Sequence, residues 1–398
     1  MNTIETEDTL GLSFCERLPL AFTHGQGSWV WDEAGKRYLD FTSGWGVTCL
    51  GHAHPVITST LQKQGARLLQ SPNAGFTYSP ERAALLQLLM PLLPGTLSAL
   101  YFCNSGAEAN DAALKLARKV TGRSKVISTS GAFHGRSLNT LSVSRGPDNS
   151  ERYLPQLPAI SFVPFGDIFA LANEINHDTA AVIVEPIQGE GGVQIPAPNY
   201  LAEVQRLCRA HGTLLIVDEV QTGFGRTGKL FAVQHSPTPV EPDMLTLAKG
   251  IAGGFPFAAF AVTPDVRAML QKDDHGGTYC GNPLGCALSH AVISHLVQEK
   301  VPEQVAHKGE LLLQGLQAIQ TQHSELVRAT RGLGLLCAIE FHEPSLAREL
   351  TLRCAERGLL VVPTRNGIIR FLPDLLVSDA DIDSALRIFG EVMADVAA

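Results

Sequence analysis

Lys249 differs from most lysines of this chain in its surroundings. It follows a short apolar run, Met244–Leu247, and precedes a glycine-rich stretch, Gly250–Gly254. A lysine desolvated in such a setting has a lowered pKa and can act as an amine nucleophile. Most lysines are simply solvated, so Lys249 taken alone supports either interpretation.

Asp218 is the first of two carboxylates that end another apolar run. Leu214–Val217 precedes Asp218 and Glu219, and ligands of open α/β sheets bind where such strands end. A buried carboxylate needs a positive partner, and a protonated pyridine nitrogen is one. Capping of a loop or pairing with an arginine would explain Asp218 equally well.

Ser105 begins a turn between a third apolar run and a helix. The stretch reads Cys103-Asn104-Ser105-Gly106-Ala107-Glu108-Ala109-Asn110. Free backbone N–H groups and the helix dipole at such a turn suit a phosphate. An ordinary helix N-cap by Ser105 explains the same pattern.

These three features together predict pyridoxal 5′-phosphate as the cofactor. It needs an anchor for its phosphate, an acid for its ring nitrogen and a lysine for its aldehyde. Ser105, Asp218 and Lys249 follow separate apolar strands of one predicted sheet. The combination is therefore more informative than any of its members.

Other motifs indicate different chemistry less clearly. Gly223–Gly228 fits the GxGxxG dinucleotide fingerprint, but no clear amphipathic helix opens after it and prolines soon intervene. The same stretch nearly makes a P-loop, but Leu230 stands where Ser or Thr must bind magnesium. His52 and His54 lack a third ligand nearby, so we interpret them as turn residues and predict no metal.

The composition is that of a soluble globular protein. The 398 residues are 45% hydrophobic and carry a formal net charge of −8, which disfavours nucleic acid or an anionic membrane as a partner. Eight scattered cysteines without a CxxC pair favour reduced thiols and a cytoplasmic location. The acidic N-terminus lacks the apolar core of a signal peptide, and no apolar run suggests a membrane span.

The apolar runs alternate with helical patterns, which predicts an α/β fold with a mostly parallel sheet. The predicted strands of that sheet are Ala99–Cys103, Lys125–Ser128, Ala181–Glu185, Thr213–Asp218 and Met244–Leu247. The predicted helices are Glu81–Leu93, Glu108–Val120, Tyr200–His211, Gly281–Gln298 and one that begins at Asp379. A hairpin is expected over Gly27–Phe41, with short strands at Gly334–Phe341, Leu359–Val362 and Ile368–Leu372.

The pattern changes near Gly281, which divides the chain. We expect a large cofactor-binding α/β domain at 51–290 and a smaller α+β domain at 291–398. The N-terminal segment, residues 1–50, is expected to join the smaller domain.

Several segments occur in the same order in a known family. They are Leu50-Gly51-His52-Ala53-His54-Pro55, Asn104-Ser105-Gly106-Ala107-Glu108-Ala109, Phe133-His134-Gly135-Arg136, Glu185-Pro186-Ile187-Gln188-Gly189-Glu190-Gly191-Gly192, Asp218-Glu219-Val220-Gln221-Thr222-Gly223, Ala248-Lys249-Gly250 and Gly281-Asn282-Pro283. In these segments the chain resembles the class III aminotransferases of fold type I, and among them the acetylornithine and ornithine aminotransferases. The resemblance runs from Gly25 to Pro373, which is nearly the whole chain. Segments 14–19 and 71–80 depart from the family's pattern.

The resemblance implies a role for each matching position. The implied cofactor site comprises Ser105, Gly106, Ala107, Phe133, His134, Asp218, Val220, Gln221 and Lys249. Ser105, Gly106 and Ala107 would hold the phosphate. Phe133 and Val220 would cover the two ring faces. Asp218 would pair with the ring nitrogen, Gln221 would contact the ring hydroxyl, and Lys249 would form a Schiff base with the aldehyde.

The resemblance also implies how substrates and a second subunit take part. Arg136 and Arg370 would bind substrate carboxylates, and Glu190 would act as a switch for Arg370. Thr278 would reach the phosphate of the partner subunit's cofactor in a homodimer with composite sites.

The implied reaction is transamination. A donor with a terminal amine, such as N-acetylornithine, ornithine, GABA or a diamine, would give its amino group to 2-oxoglutarate and yield glutamate. Lys249 would move the proton, and Asp218 would keep the ring nitrogen protonated. The alternatives are an aminomutase, racemase or decarboxylase of the same fold, a non-catalytic binding protein of that fold, and a glycine-rich dehydrogenase.

Overall fold

The strands form three sheets. This computed structural model describes residues 1–72, 75–144, 158–364 and 366–397. Part of the atypical segment 71–80, Asn73 and Ala74, lies outside the described residues. The strands are β1 (Phe22–Gln26), β2 (Trp29–Asp32), β3 (Arg37–Asp40), β4 (Ala99–Cys103), β5 (Lys125–Thr129), β6 (Ile160–Val163), β7 (Thr179–Val184), β8 (Leu214–Asp218), β9 (Met244–Leu247), β10 (Ala258–Val262), β11 (Val327–Leu333), β12 (Leu336–Phe341), β13 (Leu359–Leu360), β14 (Val362–Thr364) and β15 (Ile368–Phe371).

The helices lie mainly between these strands and at the two ends of the chain. They are α1 (Thr3–Leu10), α2 (Ser43–Gly46), α3 (Pro55–Gly65), α4 (Pro80–Leu89), α5 (Gly106–Thr121), α6 (Leu138–Ser142), α7 (Ile168–Glu174), α8 (Tyr200–His211), α9 (Pro264–Ala268), α10 (Pro283–Gln298), α11 (Val301–Gln322), α12 (Leu346–Glu356) and α13 (Asp379–Ala397). The helices predicted from the sequence are confirmed, with ends that differ by a few residues.

The largest sheet has the order β4-β10-β9-β8-β7-β5-β6. The strands from β9 to β6 are parallel, and β10 runs antiparallel to both of its neighbours. The mostly parallel sheet is therefore confirmed, but its edge strand β6 was missed, and so was β10. Its sequence, Ala-Ala-Phe-Ala-Val, contains few β-branched residues, so its strand propensity is weak, and burial on both faces determines its structure.

One of the two smaller sheets joins the two ends of the chain, and the other is built from the C-terminal region alone. The predicted N-terminal hairpin is confirmed as the antiparallel pair β2 and β3, and β3 pairs in parallel with β13 near the C-terminus. The other sheet has the order β11-β12-β15-β14 and is antiparallel. The single strand expected at Leu359–Val362 is wrong, because the chain leaves one sheet after Leu360 and enters the other at Val362.

Helix α5 begins at the carboxyl end of β4 for reasons that are local. The Ser105 hydroxyl accepts a hydrogen bond from the Glu108 amide at 3.1 Å, which caps the helix. Gly122, with φ of +67°, ends it in the left-handed conformation. The helix face that is buried against the sheet is rich in alanine, so the helix axis can lie close to the strands.

The eight cysteines are all free thiols, and seven of them are buried; Cys15 is exposed.

In the described part of the chain, no helix combines the length and the apolar character needed to cross a bilayer.

Candidate active site

A cavity of about 420 Å³ lies beyond the carboxyl ends of the parallel strands. Glu185 directly follows β7, Asp218 ends β8, and Lys249 comes two residues after β9. The predicted site residues that line the cavity are Ser105, Gly106, Ala107, Phe133, His134, Arg136, Glu190, Asp218, Val220, Gln221 and Lys249. Positions that are far apart in the sequence thus surround one space of ligand size.

The Asp218 carboxylate is buried, with 3% of its surface exposed, and is held by three donors. Its Oδ2 accepts hydrogen bonds from Asn110 Nδ2 at 2.7 Å and lies 2.8 Å from His134 Nδ1. Its Oδ1 accepts a hydrogen bond from the Val220 amide at 2.9 Å. These contacts satisfy the buried carboxylate oxygens and fix their orientation.

His134 is bound to Asp218 through one ring nitrogen only. Burial lowers the pKa of His134, but the hydrogen bond to Asp218 and the charges of Asp218 and Glu185 together outweigh burial and raise the pKa above its usual value. The other ring nitrogen, Nε2, is buried without a hydrogen-bond partner among the described residues. A group bound in the cavity can supply that partner, since unpaired buried polar atoms are uncommon.

Asn110 is a site residue that sequence reasoning missed. Besides Asp218, its amide nitrogen donates to the His134 carbonyl at 2.9 Å, and its Oδ1 accepts from the Thr246 hydroxyl at 2.7 Å. The signal was an asparagine on the otherwise alanine-rich buried face of α5, one turn after Gly106. Because a buried amide must find partners, this position indicated a polar group at the sheet edge.

Close backbone approaches shape the turn at the start of α5. A Cβ on Gly106 would come within 2.8 Å of Val220 Cγ1, so only glycine allows Val220 this near. Gly135, with φ of +140°, likewise lies against Ala107, and a Cβ there would be 2.7 Å from that side chain. The turn and the 133–136 loop therefore enclose the free N–H groups of the helix start, where an anion is stabilised.

Lys249 is half-buried in the cavity wall and has a strained backbone, with φ of +50°. Burial lowers the pKa of Lys249 to about 8. The nearby charges oppose one another, because Glu190 raises this pKa and Arg370 lowers it. With this pKa about a tenth of the amine is neutral at pH 7, and the neutral form is the one that a nucleophile or a general base requires.

Glu190 and Arg370 form an ion pair beside Lys249. Glu190 Oε1 lies 2.6 Å from Arg370 Nη2. The Arg370 side chain is fully buried, whereas 38% of the Glu190 side chain is exposed. Arg370 Nη1 also donates to Gln221 Oε1 at 3.1 Å. Although burial raises the pKa of Glu190, the charge and hydrogen bond of Arg370 lower it below its usual value.

Two further acidic side chains at these strand ends differ in the direction they face. Glu185, for which the sequence suggested no role, lines the cavity and accepts hydrogen bonds from the Phe133 amide at 3.2 Å and the Gly189 amide at 3.4 Å. Glu219 bonds instead to the Thr222 hydroxyl and the Val233 amide. Burial raises the pKa of each carboxyl to about 7.

Two predicted residues, Arg136 and Thr278, are exposed at the surface. Arg136 is exposed, with its guanidinium carbon 5.7 Å from the centre of the Phe133 ring. Thr278 is exposed and is not among the described residues that line the cavity. Arg226, in the stretch that fits the dinucleotide fingerprint, is buried and donates to the carbonyl groups of Leu335 and Pro373.

The two histidines considered as metal ligands have other partners. His52 Nε2 lies 2.8 Å from the Asp40 carboxylate, and His54 caps helix α3. Within the ranges that the structure describes, no cluster of three or more potential ligands was found.

The residues around the cavity fit pyridoxal phosphate. The start of α5 offers N–H groups to a phosphate, and Asp218 offers a buried carboxylate to a ring nitrogen. Lys249 lines the same cavity and offers its amine to the aldehyde. The unpartnered Nε2 of His134 also indicates that a bound group completes this site.

Comparison with known proteins identifies the family. The family model for aminotransferase class-III matches residues 15–393. The chain belongs to the class III aminotransferases. It is thus a pyridoxal-phosphate enzyme of fold type I that catalyses transamination.

Individual relatives of this class III aminotransferase match over nearly their whole length. Acetylornithine aminotransferase of Methanothermobacter thermautotrophicus is 41% identical, covering 99% of this chain and 98% of the relative. [LysW]-aminoadipate semialdehyde transaminase of Deinococcus radiodurans is 39% identical, covering 95% and 86%. Among solved structures, ornithine aminotransferase from Toxoplasma gondii has a TM-score of 0.92 at 31% identity, covering 99% and 94%.

Replacing Asn110 tests its place in the Asp218 network. We expect Asn110→Ala to lower the free energy of unfolding by about 3 kcal/mol, because Asp218 and Thr246 both lose a partner in a buried site. Asn139→Ala, which removes one contact to the Asp111 carbonyl on a neighbouring helix, should cost about 1 kcal/mol or less. Denaturant unfolding of the cofactor-free proteins measures both, and equal losses would contradict the assignment.

Proposed function

We propose that this enzyme moves an amino group from a donor with a terminal primary amine to 2-oxoglutarate, giving glutamate. The observation that carries the proposal is the Glu190–Arg370 ion pair, in which Glu190 lines the same cavity as Lys249. The named relatives support it, since acetylornithine and ornithine each carry a primary amine at the end of a side chain.

The residues of the cavity have distinct parts in holding the cofactor under this proposal. Ser105, Gly106 and Ala107 would hold the phosphate, and the Lys249 amine would bind the aldehyde. Phe133 and Val220 would cover the two faces of the ring. Asp218, positioned by His134, would pair with the ring nitrogen, and Gln221 would contact the ring hydroxyl. When bound, pyridoxal phosphate supplies an electron sink for the carbanion that proton removal creates.

Lys249 also moves the proton in this mechanism. Its amine, once free and neutral, would accept the proton from the donor carbon that bears the amino group and would then donate a proton to C4′ of the cofactor. Burial keeps the pKa of Lys249 near 8, so the neutral fraction of the amine increases as the pH rises towards that value.

Glu190 and Arg370 adapt the pocket to two substrates in the proposal. A terminal-amine donor and glutamate place their carboxylates differently relative to the reacting nitrogen. Glu190 neutralises Arg370 while the donor is bound, and releases it when the glutamate carboxylate takes its place. Arg136, exposed at the rim, holds the other carboxylate.

The proposed organisation has a large domain at 51–290 and a small domain made of 1–50 and 291–398. Its support is the pairing of β3 with β13, which joins the N-terminal segment to the C-terminal region.

We also infer a cytoplasmic location, because the buried cysteines are free thiols and reducing compartments keep thiols in that form.

A donor panel tests the proposed reaction. Purified enzyme with 2-oxoglutarate should form glutamate from N-acetylornithine, ornithine, GABA or a diamine. Lys249→Ala should reduce turnover by about 10³-fold and abolish covalent cofactor attachment, as detected by borohydride reduction and mass spectrometry. Lys229→Ala, at an exposed lysine, is the control. Amine substrates that are converted without glutamate formation would indicate an aminomutase, racemase or decarboxylase instead.

The proposed homodimer makes a separate prediction. Thr278 is exposed and would complete the phosphate site of the partner. Thr278→Ala should weaken cofactor binding about tenfold, since one hydrogen bond to a charged group is lost. Sedimentation should show a dimer at working concentration, and a fully active monomer would refute the composite site.

The switch predicts an asymmetric effect on the two half-reactions. Glu190→Ala should slow the donor half-reaction about tenfold, because an unshielded Arg370 captures the donor carboxylate in the wrong place. The glutamate half-reaction should be unchanged or faster. Arg370→Ala should mainly harm the glutamate half. Single-turnover measurements of each half-reaction test this prediction. Equal losses of rate in both half-reactions for both variants would show that Glu190 and Arg370 form a fixed structural ion pair.

A further inference from the structure

Backbone hydrogen bonds link the two ends of the loop that carries Glu190. Residues 188–194, called here the Glu190 loop, begin four residues after β7. The backbone of Gln188 and that of Gln194 exchange two hydrogen bonds of 3.1 Å, and the Gly192 amide donates to the Gly189 carbonyl at 3.1 Å. Three glycines flank or follow Glu190, so these contacts restrict a chain that would otherwise have wide conformational freedom.

The Glu190 loop is attached to the central sheet on one side. Gln188 Nε2 donates to the Thr129 hydroxyl at 2.9 Å and to the Ser130 carbonyl at 3.0 Å, at the end of β5. The Gln188 side chain is buried, so both contacts are shielded from water and hold this end of the loop firmly.

Arg331 attaches the other side of the loop to the sheet that carries Arg370. From β11, Arg331 Nε donates to the Gly192 carbonyl at 2.7 Å. Its Nη1 donates to Glu340 on β12 at 2.7 Å, which orients the guanidinium. Strand β12 pairs with β15, where Arg370 lies. A Cβ on Gly192 would be 2.3 Å from Ile368 Cδ1, so the loop lies directly on this sheet.

We propose that Arg331 is a positioning residue that holds the Glu190 loop against the Arg370-bearing sheet. This inference rests on the proposed switch between Glu190 and Arg370. With the backbone fixed at Gln188 and at Gly192, only the Glu190 side chain moves between the two half-reactions. The carboxylate therefore returns to the same place opposite Arg370 after each glutamate leaves.

Charge and burial explain why an arginine fits this position. The Gly192 backbone is buried, so its carbonyl needs a donor from the protein. A planar guanidinium can donate to that carbonyl and to a carboxylate at once, whereas a single ammonium group has no such fork. Arg328 shares Glu340 as a partner, at 3.3 Å, but its side chain is 58% exposed, and its one side-chain bond in the described residues goes to Glu340.

Arg328 therefore provides a matched control. We expect Arg331→Met to slow the donor half-reaction with N-acetylornithine about tenfold and to leave the half-reaction with L-glutamate within about twofold. Arg328→Met should change neither. Arg331→Lys keeps a cation beside Glu340 and should recover part of the donor rate. If Arg331→Met does not fold, Arg331→Lys replaces it in the test.

Two further measurements separate positioning from general damage. Amide hydrogen exchange of peptides that cover 188–194 should be about tenfold faster in Arg331→Met than in Arg328→Met, with unchanged exchange in α5. In a Glu190→Ala background, Arg331→Met should alter the donor half-reaction by less than about twofold, because it acts through Glu190.

The outcomes distinguish this inference from the proposed function. Equal slowing of both half-reactions in Glu190→Ala removes the switch, and the positioning role with it. A donor defect in Glu190→Ala with none in Arg331→Met overturns the positioning role alone. The same conclusion follows if exchange in the loop does not differ between the Arg331 and Arg328 variants.

Discussion

The burial of the Asp218 carboxylate constrains the rest of the site. A charge in this position is stable only if donors surround it, and the donors come from three separate parts of the chain. Asn110 belongs to α5, His134 to the loop after β5, and the Val220 amide to the chain beyond β8. The carboxylate therefore determines how the helix, the loop and the sheet are placed against one another.

This arrangement also couples the two ends of the cofactor site. Helix α5 offers its N-terminus to the cavity and, one turn later, directs Asn110 at Asp218. The hydrogen bond from Asn110 to Asp218 links the helix to β8 and thereby fixes the distance between the helix N-terminus and the acid. The Thr246 hydroxyl, which donates to Asn110, extends the same network to β9, the strand that precedes Lys249.

The second charged centre lies between two sheets. Arg370 is fully buried on β15, and Glu190 leaves the end of the central sheet. Burying the Arg370 guanidinium without a carboxylate partner would cost free energy. The ion pair therefore stabilises the contact between the two sheets. Gln221 adds a neutral acceptor to Arg370 at 3.1 Å, which retains one partner for the guanidinium when Glu190 moves away.

The sequence by itself determined the elements whose signals are local. Apolar runs that end in Asp218 or lead to Lys249 predicted strand ends, and Ser105 with Glu108 predicted a helix start, because these patterns depend on neighbours within a few residues. The order of the motifs supplied the family resemblance and, with it, the residues that the structure brings together around the cavity. None of this required knowledge of the packing.

Only the tertiary structure decided which way the polar side chains face. Asp218 and Glu219 are adjacent carboxylates, yet one lines the cavity and the other bonds to Thr222 and Val233. Asn110, Glu185 and Arg331 escaped prediction because their partners are distant in the sequence. The strand expected at Leu359–Val362 was divided for the same reason, since the pairing of each half depends on sheets built from distant segments, and their approach is a property of the folded chain.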